Sequence, residues 1–327
     1  MPEFRPGLEL SAAFYRDIVR PQIGRPHAAA LLGWGSDVLG FDTERSTDHG
    51  WGPRLLIFLE EAADVRLHLP DEFAGWPVRY GWDGAPEEHH VTVTDLPAWL
   101  VEHMGLDATD ELRIEDWLVT PQQKLLEVVG GAVYADDPGE LTRVRERLAW
   151  YPDEVWRWIL ACQWRRIAQE EAFVHRTAEV GDEIGSAVIA ARLVRDIMRL
   201  ALLLDRRYAP YGKWLGSAFA ALDHGDGLDE HLRAALTGSF DGAYIAVARR
   251  HNALGITEPV EPTLRPFHGR PAHVLDADRF VRACLATVTE PTLRALPLIG
   301  AVDQWVDSTD VLSDPGVYRR LVTNFGH

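Results

Sequence analysis

Hydrophobic positions change their rhythm along the chain near residue 150. Before that point, short apolar runs alternate with Gly and Pro, and five of them predict strands: Ala28–Leu32, Arg54–Leu59, Val78–Trp82, Val91–Val93 and Ala132–Ala135. Helical spacing predicts helices between them over Leu8–Arg20, Leu96–Met104, Pro121–Val128 and Glu140–Leu148. The elements alternate too irregularly for a doubly wound sheet, so the pattern is that of a mixed α/β unit.

After Tyr151-Pro152 the pattern is helical throughout. Trp156, Leu160, Trp164, Ile167, Glu171 and Val174 recur at three- and four-residue spacing behind Asp153, a plausible N-cap. A second long helix is expected from about Glu183 to Arg207, with Ile189, Leu193, Ile197, Leu200 and Leu204 on one stripe. Tyr208-Ala-Pro-Tyr ends it, and further helices are expected near 212–222, 229–254 and 276–288. Long helices with short connectors form bundles. The expected organisation is an α/β domain over 1–149 and an all-α domain over 150–327.

Composition narrows the function classes. A length of 327 residues suits two domains. Acidic residues outnumber basic ones 50 to 33 for a net charge of −17, which disfavours bulk nucleic acid as a partner and still allows one local basic pocket. Two cysteines, Cys162 and Cys284, are too few for a disulfide scaffold or a cysteine-rich zinc site. The first thirty residues lack a secretory pattern, and no apolar run of about 18 residues occurs. The expectation is a cytoplasmic protein with no membrane partner.

The stretch richest in chemistry follows the first strand. There Gly35-Ser-Asp-Val-Leu-Gly-Phe-Asp42 leads to Ser46-Thr-Asp-His-Gly-Trp-Gly-Pro-Arg54, with Asp48 twelve residues after Ser36. A Gly-Ser turn at a strand end can present backbone N–H groups and a hydroxyl to phosphate oxygens. A neighbouring carboxylate can then hold Mg²⁺ against a triphosphate. The plainer alternative is an ordinary turn, with Asp48 capping a loop.

This string resembles the nucleotidyltransferase superfamily that includes DNA polymerase β, and in particular a bacterial branch without assigned function. Gln163-Trp-Arg-Arg-Ile-Ala-Gln-Glu-Glu171, Tyr208-Ala-Pro-Tyr-Gly-Lys-Trp214 and Asp303-Gln-Trp-Val-Asp-Ser-Thr-Asp310 extend the likeness over nearly the whole chain. The resemblance implies a nucleotidyltransferase-like mixed sheet and a helical partner domain. It implies transfer of AMP from ATP to a hydroxyl of an unknown small-molecule acceptor, with Mg²⁺ as cofactor and Mn²⁺ as second candidate. Gly35 and Ser36 would hold the triphosphate and Asp48 the metal. Lys213 would meet the outer phosphates, and Glu170 or Glu171 would act as base.

The sequence departs from that pattern at the metal site. The superfamily carries Asp-x-Asp, whereas here Gly50 follows Asp48 two residues on. A two-metal site needs bridging carboxylates. The strand around His89–Asp95 offers Thr92 where a third acid is expected, leaving Glu88, Asp95 and Asp116 as alternatives. Three readings of Gly50 stay open: a disabled enzyme, a protein that binds nucleotide or another ligand without transfer, and altered chemistry in which His49, a fair ligand for Mn²⁺ or Zn²⁺, or a residue of the helical domain replaces the missing acid.

The remaining candidates also have structural readings. Only Lys124 and Lys213 are lysines among the 33 basic residues, so Lys213 between Tyr211 and Trp214 stands out, although its stem could simply pack on those rings. Glu170 or Glu171 could instead pair with Arg192 or Arg199 on the next long helix. Arg192, Asp196 and Arg199 share one helical face, which suits an interhelical polar network. Trp76, Trp82, Trp99 and Trp117 read as core or cleft walls.

Overall fold

The computed structural model describes residues 2–48, 50–60, 65–82, 86–270 and 272–324. The described elements run α1 (Gly7–Phe14), β1 (Ala28–Leu31), β2 (Arg54–Phe58), β3 (Glu72–Phe73), β4 (Trp76–Pro77), β5 (Arg79–Tyr80) and β6 (Glu88–Thr94). Then follow α2 (Leu96–Met104), α3 (Ile114–Val119), α4 (Gln122–Val129), β7 (Ala132–Asp136) and α5 (Glu140–Leu148). The chain divides into two compact units. The first holds 1–112 and 124–149, and the second holds 113–123 and 150–327.

The first unit is α/β around a five-stranded mixed sheet of order β5-β6-β2-β1-β7. β2 and β6 run parallel, pairing Arg54 with His90 and Leu56 with Thr92, and every other neighbouring pair is antiparallel. All four residues of β1 are buried, which explains why it reads as an unbroken apolar run. On one face Ala29, Leu55, Ile57 and Val91 pack with Phe14, Tyr15 and Val19 from the N-terminal segment. That segment is not one α-helix to Arg20 as its spacing predicts. α1 ends at Phe14, and a wider π turn over Tyr15–Val19 and a 3₁₀ turn over Arg20–Gln22 follow, with Pro21 unable to donate a helical hydrogen bond.

The second unit is dominated by α6 (Asp153–Glu170), α7 (Phe173–Glu179) and α8 (Glu183–Leu204). It continues through α9 (Gly212–Ala220), α10 (Leu228–Ala235), α11 (Asp241–Ala253), a short hairpin, and α12 (Asp278–Ala286). α6 packs on α8 and α12, and its Trp156, Trp158 and Trp164 are all essentially solvent-free. Two of the indole N–H groups find acceptors: Trp156 donates to the Leu203 carbonyl at 2.8 Å and Trp164 to His251 Nδ1 at 3.1 Å. The Trp164 ring also stacks on Phe280, with centroids 4.3 Å apart. Each large apolar side chain buried this way contributes roughly 1.5–3 kcal/mol. The single helix expected over 229–254 is two helices. Gly238, at φ +95°, takes a left-handed conformation that ends the first, and Asp241 opens the second.

No helix among the described residues is long and apolar enough to cross a membrane.

Candidate functional site

β1 leads into the turn that carries Gly33, Gly35 and Ser36. Gly33 and Gly35 sit at φ +88° and +124°, where side-chain-bearing residues are strained. A Cβ on Gly35 would also collide with the Asp37 carboxylate and the Arg54 guanidinium. Those two groups form a buried ion pair at 2.6 Å. The Arg54 guanidinium lies 4.0 Å from the centre of the Trp34 ring, a cation–π contact. The Asp37 carboxylate further accepts the Val38 N–H at 3.0 Å, and the Arg54 N–H donates to Ser11 Oγ at 3.2 Å. Half-buried Ser36 closes the turn by accepting the Phe41 N–H on its carbonyl at 2.8 Å. The Gly-Ser turn is thus fixed from beneath by a charge pair that spans the start of β2.

An aromatic group stands beside the turn. Trp34 and Trp82 are 49% and 43% exposed and meet edge to face at 5.1 Å. His90, from β6, stacks on Trp82 at 5.5 Å and holds the Tyr80 carbonyl through Nε2 at 3.0 Å. Burial pushes the His90 pKa below the ordinary histidine value, which favours a neutral ring against the indole. Of the four tryptophans expected in core or cleft walls, Trp76, Trp99 and Trp117 are buried, and Trp82 is largely open.

Asp48 ends a 3₁₀ turn over Glu44–Asp48, half exposed and 3.4 Å from Arg45. His49 lies outside the described residues. Gly50 adopts φ +59°, and a Cβ there would stand 3.0 Å from Trp82 Cε3, so this glycine has a conformational reason of its own. The alternatives for a third acid are scattered. Asp95 accepts the Ala98 N–H as the N-cap of α2, Asp116 pairs with Arg113 and Arg319 in the second unit, and Glu88 is exposed at the start of β6. No group of three His, Cys, Asp or Glu suited to a metal ion occurs among the described residues. One half-exposed carboxylate does not fit a resident Mg²⁺ or Mn²⁺.

The helical candidates lie in the second unit. Glu170 pairs with Arg192 at 2.9 Å, the interhelical partner its position offers. Glu171 is buried and accepts the Leu275 and Ala277 N–H groups at 2.8 and 3.0 Å, anchoring the segment ahead of α12. Burial pushes its carboxyl up to about 7 against those stabilising bonds. Lys213, exposed on the first turn of α9, holds its ammonium 4.9 Å from the Trp214 ring centre.

Residues 117–215 match a family described only as a domain of unknown function (DUF4037). The matched stretch includes Glu170, Glu171 and Lys213 and excludes Gly35, Ser36 and Asp48. No curated protein and no solved structure matches the chain.

Sequence reasoning passed over Trp34, Asp37 and Arg54 as individual residues. The available signal was their place around the quoted string: Trp34 directly precedes its Gly35, Asp37 follows two residues on, and Arg54 ends it.

Proposed function

We propose that the chain binds a nucleoside triphosphate, ATP first, at the Gly33–Ser36 turn, on the nucleotidyltransferase plan its sequence resembles. The observation that carries this reading is the left-handed glycine turn, locked by the buried Asp37–Arg54 pair and flanked by two open indoles. Fixed backbone amides suit phosphate oxygens, and an open indole suits a base. The strand pairing is compatible with that plan, since β2 lies between β1 and a parallel neighbour.

Binding without transfer is favoured over transfer of AMP to an acceptor hydroxyl. Asp48 is the only acid at the expected spacing, and Glu170 and Glu171 are already engaged in an ion pair and in backbone capping. Any Mg²⁺ would then arrive as part of the nucleotide, with Asp48 as its one carboxylate.

Calorimetry with ATP, with and without Mg²⁺, tests the reading. Base–aromatic stacking is worth about 1–3 kcal/mol, so Trp34→Ala should weaken ATP at least several-fold while leaving inorganic triphosphate unaffected. No measurable ATP binding, or equal affinity in both proteins, would refute it.

A further inference from the structure

Two of the strings singled out in the sequence, around Arg166 and around Asp303, converge on a cavity that the nucleotide reading does not use. It lies within the second unit and has a volume of about 270 Å³. α8 contributes Arg192, Arg195 and Arg199, which share a face at three- and four-residue spacing, and α6 contributes Arg166. Trp305 and Asp307 help close the cavity from the C-terminal segment.

The arginines are held in place from behind and from the rim. Asp196, almost fully buried, takes Arg166 with both oxygens at 3.2 and 3.3 Å. Arg166 also donates to the Gln304 carbonyl, and Arg199 donates to the Asp303 carbonyl at 2.6 Å. Arg192 meets Glu170 at 2.9 Å, and Arg195 meets the well-exposed Asp307 at 3.2 Å.

These partners offset the charge of three of the four arginines. Arg199 makes no salt bridge among the described residues, and the buried Nε atoms of Arg195 and Arg199 have no hydrogen-bond partner there. The Asp303 carboxyl accepts the Gln122 N–H at 3.0 Å, and burial pushes it up to about 6. Burial and the neighbouring Arg195 and Arg166 charges disfavour the charged form of Arg199, although Asp303 and Asp196 oppose them. Converging guanidinium groups are stabilised by an anion that reaches several of them.

We propose that this cavity binds a small phosphate-bearing molecule, its phosphate on Arg195 and Arg199 and its carbon skeleton against Trp305. The planar guanidinium fork matches phosphate oxygens in pairs, which favours phosphate over a spherical anion. The cavity is smaller than the ~300–1,000 Å³ of drug-sized ligand sites, so the ligand is a short phosphoester or pyrophosphate and not a polymer. In a chain of net charge −17, four arginines gathered at one cavity suit a compact anion. The inference shares no residue with the glycine turn, so it stands or falls separately from the nucleotide reading.

Titration calorimetry of the full chain with inorganic pyrophosphate, at constant ionic strength, tests it. Saturable binding is expected, with at least a tenfold loss of affinity in Arg199→Gln and in Arg195→Gln. Arg195→Lys should recover only part of the loss. Arg192→Gln, on the exposed rim, should cost a few-fold and keeps the test open should Arg199→Gln fail to fold. Three results would overturn the proposal: no saturable heat with the unaltered chain, undiminished affinity in Arg195→Gln, or sulfate binding as tightly as pyrophosphate.

Discussion

Replacing Arg54 by Met should loosen the first unit more than any other single change at the glycine turn. The Arg54 side chain is buried, and its only carboxylate partner among the described residues is Asp37, equally buried at 2.6 Å. Methionine preserves much of the length and apolar volume, so the main loss is charge. Asp37 would then keep one N–H, from Val38, and no cation. Removing one member of a buried pair typically costs about 3–5 kcal/mol because the other charge is left uncompensated. The cation–π contact with Trp34 adds about 0.5–2 kcal/mol where it is shielded from water. Urea unfolding followed by a probe confined to the first unit is the suitable assay, since two units need not unfold as one transition. The double variant Asp37→Leu with Arg54→Met should recover much of the loss, because two apolar groups replace the pair. A cost below about 1 kcal/mol for Arg54→Met would refute the reasoning. A double variant as unstable as the sum of the singles would show that the two residues do not act as a pair.

Two further predictions concern the carboxylates. Burial raises the Glu171 carboxyl from 4.5 to about 7 in the folded chain, so its stabilising contribution is full below about pH 4.5 and lost as pH rises through about 7. Glu171→Gln should therefore flatten the fall in melting temperature across that window, with the remaining slope owed to groups such as Asp303; an unchanged slope would count against the assignment. Gly50→Asp restores the two-residue carboxylate spacing beside Asp48 and should tighten Mg²⁺·ATP binding in calorimetry. Its left-handed φ and the approach to Trp82 should cost about 1–2 kcal/mol of stability, and equal Mg²⁺·ATP affinity would mean that position 50 does not address the nucleotide.

The parts of the fold legible in the sequence are those whose cause is local. Trp156, Trp164 and Ile167 announce α6 because their spacing matches its buried face, and β1 is legible because a central strand is apolar on both sides. The Gly238 break was missed because the apolar spacing continues across it while the backbone does not. The Gly-Ser turn was visible, but the Asp37–Arg54 pair beneath it joins residues seventeen apart with no periodicity between them. The face shared by Arg192, Asp196 and Arg199 could be read from helical geometry. Its meeting with Arg166 spans thirty residues, and its meeting with residues 303–307 depends on packing over more than a hundred.

The excursion of residues 113–123 into the second unit carries a consequence for biosynthesis. The segments of the first unit have all been synthesised by residue 149. In the second, α3 and the residues after it meet Tyr151 and Ala209 early, but their setting is completed only when Arg319 reaches Asp116 and Thr120, and Asp303 reaches the Gln122 N–H. That last contact closes a loop of 181 residues, the kind of non-local step that slows assembly and leaves apolar surface uncovered in the interim. A fragment beginning at residue 150 would emerge without the strand of sequence that receives those late contacts, so the helical half is a unit in space without being one in translation.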